Sequence, residues 1–189
     1  MLGTPTLADH RWFGLYADGV SESAVVVPIP QAEPAFAALR RGHDPSAANG
    51  MGCHITVLYP FVPPDLLDER SIEALRRSLA GIAPFTVTLT RLGRFAGDMH
   101  VLYAVPEPAE PFIAMTDAVS AQFRLDPYGG AHETVLPHLT IAVTDDPGLL
   151  DRIEPAAAVG LPITAPVDRL DLAVHEPAGW HTAHSIALG

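Results

Sequence analysis

The chain has 189 residues, 48% hydrophobic and 17% charged, which describes a single globular domain with a sizeable core rather than a disordered tail. No apolar run approaches the roughly 20 residues of a membrane helix. The polar start around Asp9, His10 and Arg11 does not read as a signal peptide, and the lone cysteine, Cys53, allows no intramolecular disulfide, as expected in the cytoplasm. Net charge is −11 and every basic residue is an arginine, which argues against the basic stripe that grips a long nucleic-acid duplex. A small phosphate ester or an RNA end remains open as partner, and a monomer is the expected form.

Proline and glycine punctuate the chain often enough to separate its elements. After an N-terminal extension, residues 1–22, the β-branched run at 23–27 predicts a strand stopped by Pro28. A helix is expected over 34–41, with Phe36 and Leu39 at helical spacing and Gly42 at its end. The arginine pairs Arg40-Arg41 and Arg76-Arg77 read as solvated helix faces. Residues 53–59 alternate as a strand closed by Pro60. Residues 66–80 carry Leu67, Ile72, Leu75 and Leu79 on one helical side, and 85–92 form a strand with one hydroxylated face.

The order then repeats. A strand is predicted at 99–105 and a helix at 111–123, with Phe112, Met115, Val119 and Phe123 on one side. A strand at 139–143 follows Pro137-His138, then a short helix at 149–158 and a strand from Ile163. Residues 169–188 read as a terminal hairpin. His54 and His138 lie 84 positions apart at equivalent points of two halves, about 23–95 and 99–174. Such self-similarity indicates an internal duplication. The expected fold is α+β and bilobal: residues 23–189 form one domain of two pseudo-twofold lobes, each with an antiparallel sheet, around a central cleft.

Residues two apart on a strand share a face. His54 and Thr56 therefore point one way, with Cys53, Ile55 and Val57 opposite. His138 and Thr140 share a face in the same manner, with Leu139 and Ile141 behind them. An imidazole gives or takes a proton near neutral pH, and a hydroxyl two residues on can donate to a phosphoryl oxygen. Two such pairs supply a base, an acid and two oxygen ligands around one phosphorus, which suffices for in-line attack with no metal and no cofactor. Nine histidines and 19 serines plus threonines predict about one such spacing by chance. Three occur, and His132-Glu133-Thr134 is set aside because it lacks strand alternation.

The stretches His54-Ile55-Thr56-Val57-Leu58-Tyr59-Pro60-Phe61 and Pro137-His138-Leu139-Thr140-Ile141-Ala142 resemble the paired motifs of the two-histidine phosphoesterases. That family includes 2′–5′ RNA ligase-like proteins and cyclic nucleotide phosphodiesterases. The resemblance runs from about Ser23 to Val174, including Leu92-Gly93-Arg94-Phe95 and Tyr128-Gly129-Gly130. It implies a bilobal fold and chemistry at 2′,3′-cyclic or 2′–5′ phosphodiesters, hydrolysis ahead of ligation. His54, Thr56, His138 and Thr140 are the catalytic candidates.

Substrate-binding candidates are Tyr59, Phe61 and Tyr128 for a base, and Arg91 and Arg94 for a second phosphate. Cys53 cannot converge with its neighbour His54 and reads as a small core residue. His132-Glu133 with His138 departs from the zinc spacing, so no metal is expected, although His100, His132 and the His181, His184 pair leave a metal site open. The rival readings are a nucleotide-binding module without turnover and the same histidine pair acting on a non-nucleotide metabolite. The leading reading requires both imidazoles in one cleft, on the order of 5–8 Å apart.

Overall fold

The computed structural model describes residues 21–130 and 135–189; most of the N-terminal extension, and His132, lie outside them. In chain order the elements are β1 (Glu22–Pro28), α1 (Glu33–His43), α2 (Pro45–Ala48), β2 (His54–Leu58), α3 (Glu69–Leu79), β3 (Phe85–Phe95) and β4 (His100–Glu107). Then come α4 (Glu110–Phe123), β5 (Leu139–Thr144), α5 (Pro147–Val159), β6 (Ile163–Val167), β7 (Arg169–Glu176) and β8 (Gly179–Ala187).

Local chemistry sets most boundaries. The Asp68 carboxylate accepts from the Ser71 N–H at 2.8 Å, so α3 begins at Glu69 rather than at 66. Residues 64–66 form a separate short turn after Pro63. Asp146 caps α5 through the Gly148 N–H at 2.9 Å. Asp44 caps α2, a four-residue helix that the hydrophobic pattern did not signal because it buries no residue.

Two four-stranded antiparallel sheets result, ordered β2-β1-β7-β8 and β5-β4-β3-β6. Both H-x-T strands are edge strands, each paired to the strand that precedes it in sequence. The third position of each sheet is taken crosswise. β3, from the first half of the chain, joins the second sheet, and β7, at the end of the second half, joins the first. The two sequence halves are thus not two self-contained lobes; each sheet draws on both. Strand alternation alone does not say which sheet a strand will join, and the single residue Asp168 between β6 and β7 carries the chain from one sheet to the other.

The helices cross over as well. Helix α1 packs against β5, α4 packs against β2, and the two edge strands contact one another. One core cluster consequently spans both lobes, joining Val25, Val27, Ile55 and Val57 to Leu102, Ala104, Leu139 and Ile141. Ile55 and Ile141 are both 0% exposed. Replacing either by alanine should lower the free energy of unfolding by about 2–5 kcal/mol in a denaturant titration. Serine at Thr56, on the opposite face, should change it far less.

Candidate active site

The two edge strands present the same pattern. Ile55 and Val57 are buried behind β2, and Leu139 and Ile141 behind β5, while His54, Thr56, His138 and Thr140 are half-buried on the other faces. In the first sheet His54 pairs with Pro28 and Thr56 with Val26. In the second, Thr140 lies opposite Tyr103, which in turn lies opposite Gly93.

Each imidazole is fixed by a carbonyl two residues upstream. His54 Nδ1 lies 2.8 Å from the Gly52 oxygen, and His138 Nδ1 lies 2.7 Å from the Leu136 oxygen. A carbonyl oxygen can only accept, so Nδ1 carries the hydrogen in both rings. Nε2 is left as the atom that exchanges a proton. The rings are close enough that charge on His138 lowers the proton affinity of His54.

The surroundings of the two histidines differ. His138 meets the edges of Phe95 at 5.0 Å and Tyr103 at 5.4 Å, and those two rings stack at 4.2 Å. A Cβ on Gly93 would come within 2.5 Å of the Tyr103 ring, so glycine is what lets that ring lie across β3. Neither Phe95 nor Tyr103 was singled out as a site residue, although a glycine inside a strand is the signal of such close approach. His54 instead has Arg40 nearby. Burial, then the Arg40 guanidinium, pushes the His54 imidazole down to about 4, against the opposing pull of the Gly52 carbonyl and Asp44.

Arg40 itself overturns the solvated-face reading of Arg40-Arg41. It is 1% exposed and ion-paired at 2.8 Å to Asp44, which is 5% exposed. The i,i+4 spacing of Arg40 and Asp44 was the available signal. Arg76, by contrast, is exposed and bonds Glu73 at 3.1 Å.

The substrate-binding candidates divide. The Tyr128 phenol is hydrogen-bonded to the Thr56 hydroxyl and raised by burial; its N–H donates to the Tyr59 carbonyl at 2.7 Å. Tyr59 packs edge-on to Trp180 at 6.4 Å and bonds the Glu22 carboxylate through its hydroxyl. Phe61 does not reach the site: it is 5% exposed in the core, edge-on to Phe123 at 4.7 Å. Arg91 is exposed, and the register Arg91 to Val105 and Gly93 to Tyr103 puts it on the face of His138. Arg94, three residues on and past a Gly93 of that same face, points to the opposite side. There it bonds Asp151 at 2.7 Å and Glu154 at 2.8 Å on α5. The bulge between Leu89 and Arg91 sets this outcome, which no alternation rule anticipates.

Cys53 is 2% exposed on the apolar side, and burial pushes its thiol up to about 11, which fits a core residue rather than a nucleophile. Among the described residues, no three His, Cys, Asp or Glu side chains gather as a metal-binding group, and no helix is long and apolar enough to cross a membrane.

Two antiparallel sheets, flanking helices and paired histidine strands define a two-lobed α+β phosphoesterase fold. Residues 27–179 match the 2′-5′ RNA ligase superfamily, and the chain belongs to that superfamily. It is 28% identical over 125 residues to a Bacillus pumilus (strain SAFR-032) protein named as a phosphoesterase, covering 65% of this chain and 70% of that one. The fold resembles Escherichia coli LigT, with a TM-score of 0.57 at 17% identity over 90% of this chain and 99% of LigT. It also resembles the Thermus thermophilus protein TT0787, with a TM-score of 0.58 at 22% identity over 88% and 97%. LigT has been crystallised with 3′-AMP, NADP+, ATP and phosphate.

A histidine held neutral by the fold gives stability a definite pH dependence. Between about 6.5, its ordinary value, and about 4, the unfolded chain binds a proton at His54 that the native protein does not. Stability from this group is therefore complete above about 6.5 and is lost as pH falls toward 4. His54→Asn should flatten that part of a stability–pH curve, and the His54 ring should titrate near 4 by NMR.

Proposed function

We propose that the chain is a metal-independent phosphodiesterase acting on a 2′,3′-cyclic or 2′–5′ linked nucleotide or RNA end. The observation that carries this reading is the matched pair of imidazoles, each with Nδ1 bound to a carbonyl and Nε2 left for proton exchange. One Nε2 takes the proton of an attacking water as its oxygen bonds phosphorus. The bond from phosphorus to the leaving ribose oxygen breaks, and the second imidazolium protonates that oxygen. Thr56 and Thr140 donate to the non-bridging oxygens, where charge builds. Tyr128, through its bond to Thr56, orients one of these hydroxyls.

A phosphodiester brings negative charge beside His54 and opposes the Arg40 and His138 contributions that keep it neutral, so substrate binding raises its proton affinity. Arg91, on the His138 face, is placed for a second phosphate, and the Phe95–Tyr103 stack offers an aromatic surface beside the same histidine. The LigT complexes with 3′-AMP and ATP support a ligand of nucleotide size. Hydrolysis is favoured over ligation because a net charge of −11 suits one small anion better than two polynucleotide ends. The single cysteine points to work in the cytoplasm.

The test is turnover of nucleoside 2′,3′-cyclic phosphates, followed by 31P NMR. His54→Ala and His138→Ala should each lower kcat by about 10²–10⁴, and Thr56→Ala or Thr140→Ala by less. The double histidine variant should lose less than the product of the single effects. The pH–rate profile should be bell-shaped, and EDTA should leave the rate unchanged. A His138→Ala protein with wild-type kcat, or activity lost to EDTA and restored by zinc, would sink the two-histidine mechanism.

A further inference from the structure

Helix α2 and the loop after it carry the chain into His54. Asn49, just past the end of α2, is tied back through its side chain, whose Nδ2 donates to the Pro45 carbonyl at 2.8 Å. The Met51 N–H donates to the Ser46 carbonyl at 3.0 Å, and the Met51 carbonyl accepts from Arg40 Nη1 at 3.3 Å. Gly52 follows, and its carbonyl fixes the Nδ1 hydrogen of His54. The placement of that one carbonyl depends on how the loop is held.

The C-terminal hairpin meets this loop. β7 and β8 turn at Pro177-Ala178, and β8 is an edge strand whose Trp180 N–H donates out of the sheet to the Asn49 carbonyl at 2.7 Å. Gly179 has φ +109°, and a Cβ there would lie 2.6 Å from the Asn49 oxygen, a backbone atom. A Cβ on Gly50 would in turn come within 3.3 Å of the Trp180 carbonyl oxygen. Two bare backbones meet at this seat, and position 179 admits only glycine without a shift. The Trp180 ring, 8% exposed, joins Ala24, Val26 and Ala173 in a small cluster against which Met51 packs. Val26 is the register partner of Thr56, so this cluster lies on the face that carries His54 and Thr56. The tip thus holds the loop by a hydrogen bond at Asn49 and by apolar contact at Met51, one residue short of Gly52.

We propose that Gly179 and Trp180 are positioning residues: the hairpin tip braces the loop over residues 49–52 and so holds the Gly52 carbonyl at His54 Nδ1. This deepens the two-histidine reading and rests on it. An imidazole that loses its carbonyl acceptor exchanges its hydrogen between the two ring nitrogens, and Nε2 is then free to take a proton for only part of the time. Among the described residues the indole Nε1 has no hydrogen-bond partner, so the Trp180 ring acts through its apolar surface.

The experiment is 15N NMR of the histidine rings in the full chain, at a pH where both are neutral, for wild type, Gly179→Ala and Trp180→Phe. His138, whose Nδ1 is held by the Leu136 carbonyl, serves as the comparison within each spectrum. Gly179→Ala should lower the share of the Nδ1–H tautomer at His54 and speed solvent exchange of that hydrogen by about tenfold or more, with His138 unchanged. Trp180→Phe keeps the backbone N–H and an aromatic ring, and should match wild type at both histidines. Equal changes at the two rings in Gly179→Ala would show general loosening and overturn the proposal. So would an unaltered His54 in a folded Gly179→Ala, or a shifted His54 in Trp180→Phe. Should Gly179→Ala not fold, Trp180→Ala, which takes the ring out of the cluster that holds Met51, decides by the same criteria. The spectra need no substrate, so their failure is distinct from a wild type that turns over no cyclic phosphate. If turnover is found, Gly179→Ala should lower kcat and leave KM, and an unchanged kcat would overturn the positioning role.

Discussion

The crossed packing of two helices on two edge strands is the constraint on which the rest depends. Helix α1 lies on β5 and α4 lies on β2, so the apolar side of each H-x-T strand is sealed by a helix that follows a strand of the other sheet, β1 or β4. Ile55, Val57, Leu139 and Ile141 are driven inward by the hydrophobic effect. The period of two along a strand then leaves His54, Thr56, His138 and Thr140 no face but the opposite one. Edge strands are usually a liability, because unpaired backbone groups invite another chain. Here β2 and β5 contact each other, and His54, Thr56, His138 and Thr140 stand on those two strands and at their starts.

On that frame, small backbone devices finish the site. The carbonyls of Gly52 and Leu136 select one tautomer for both rings, an arrangement that costs little because each acceptor lies only two residues upstream of its ring. Gly93 clears the path of the Tyr103 ring, and Tyr128, in left-handed backbone, lies beside Thr56. These features concern reach and orientation rather than hydrophobic pattern. They explain how four ordinary side chains become ordered as the proposed acid–base site requires.

The lobes are alike in topology, and the described neighbours of their histidines differ. One histidine has the Arg40–Asp44 pair nearby, and the other lies against aromatic rings. A buried ion pair adds little net stability once desolvation is counted, yet removal of one partner is costly.

Much of this was legible in the residues alone. The alternation around His54 and His138, the repeat of elements and the breaks at proline and glycine specify the strands, the helices and the four central side chains, because these follow from periodicity along a local stretch. Arg40, Phe61 and Arg94 were misread, and Phe95 and Tyr103 overlooked, for one common reason. Whether an arginine in a helix meets solvent or Asp44, whether Phe61 faces a ligand or Phe123, and which side of β3 holds Arg94 after a bulge depend on partners distant in sequence. The exchange of β3 and β7 between sheets is of the same kind. Local pattern decided which residues could act; long-range pairing decided which of them meet, since only the closed fold brings the two edges together.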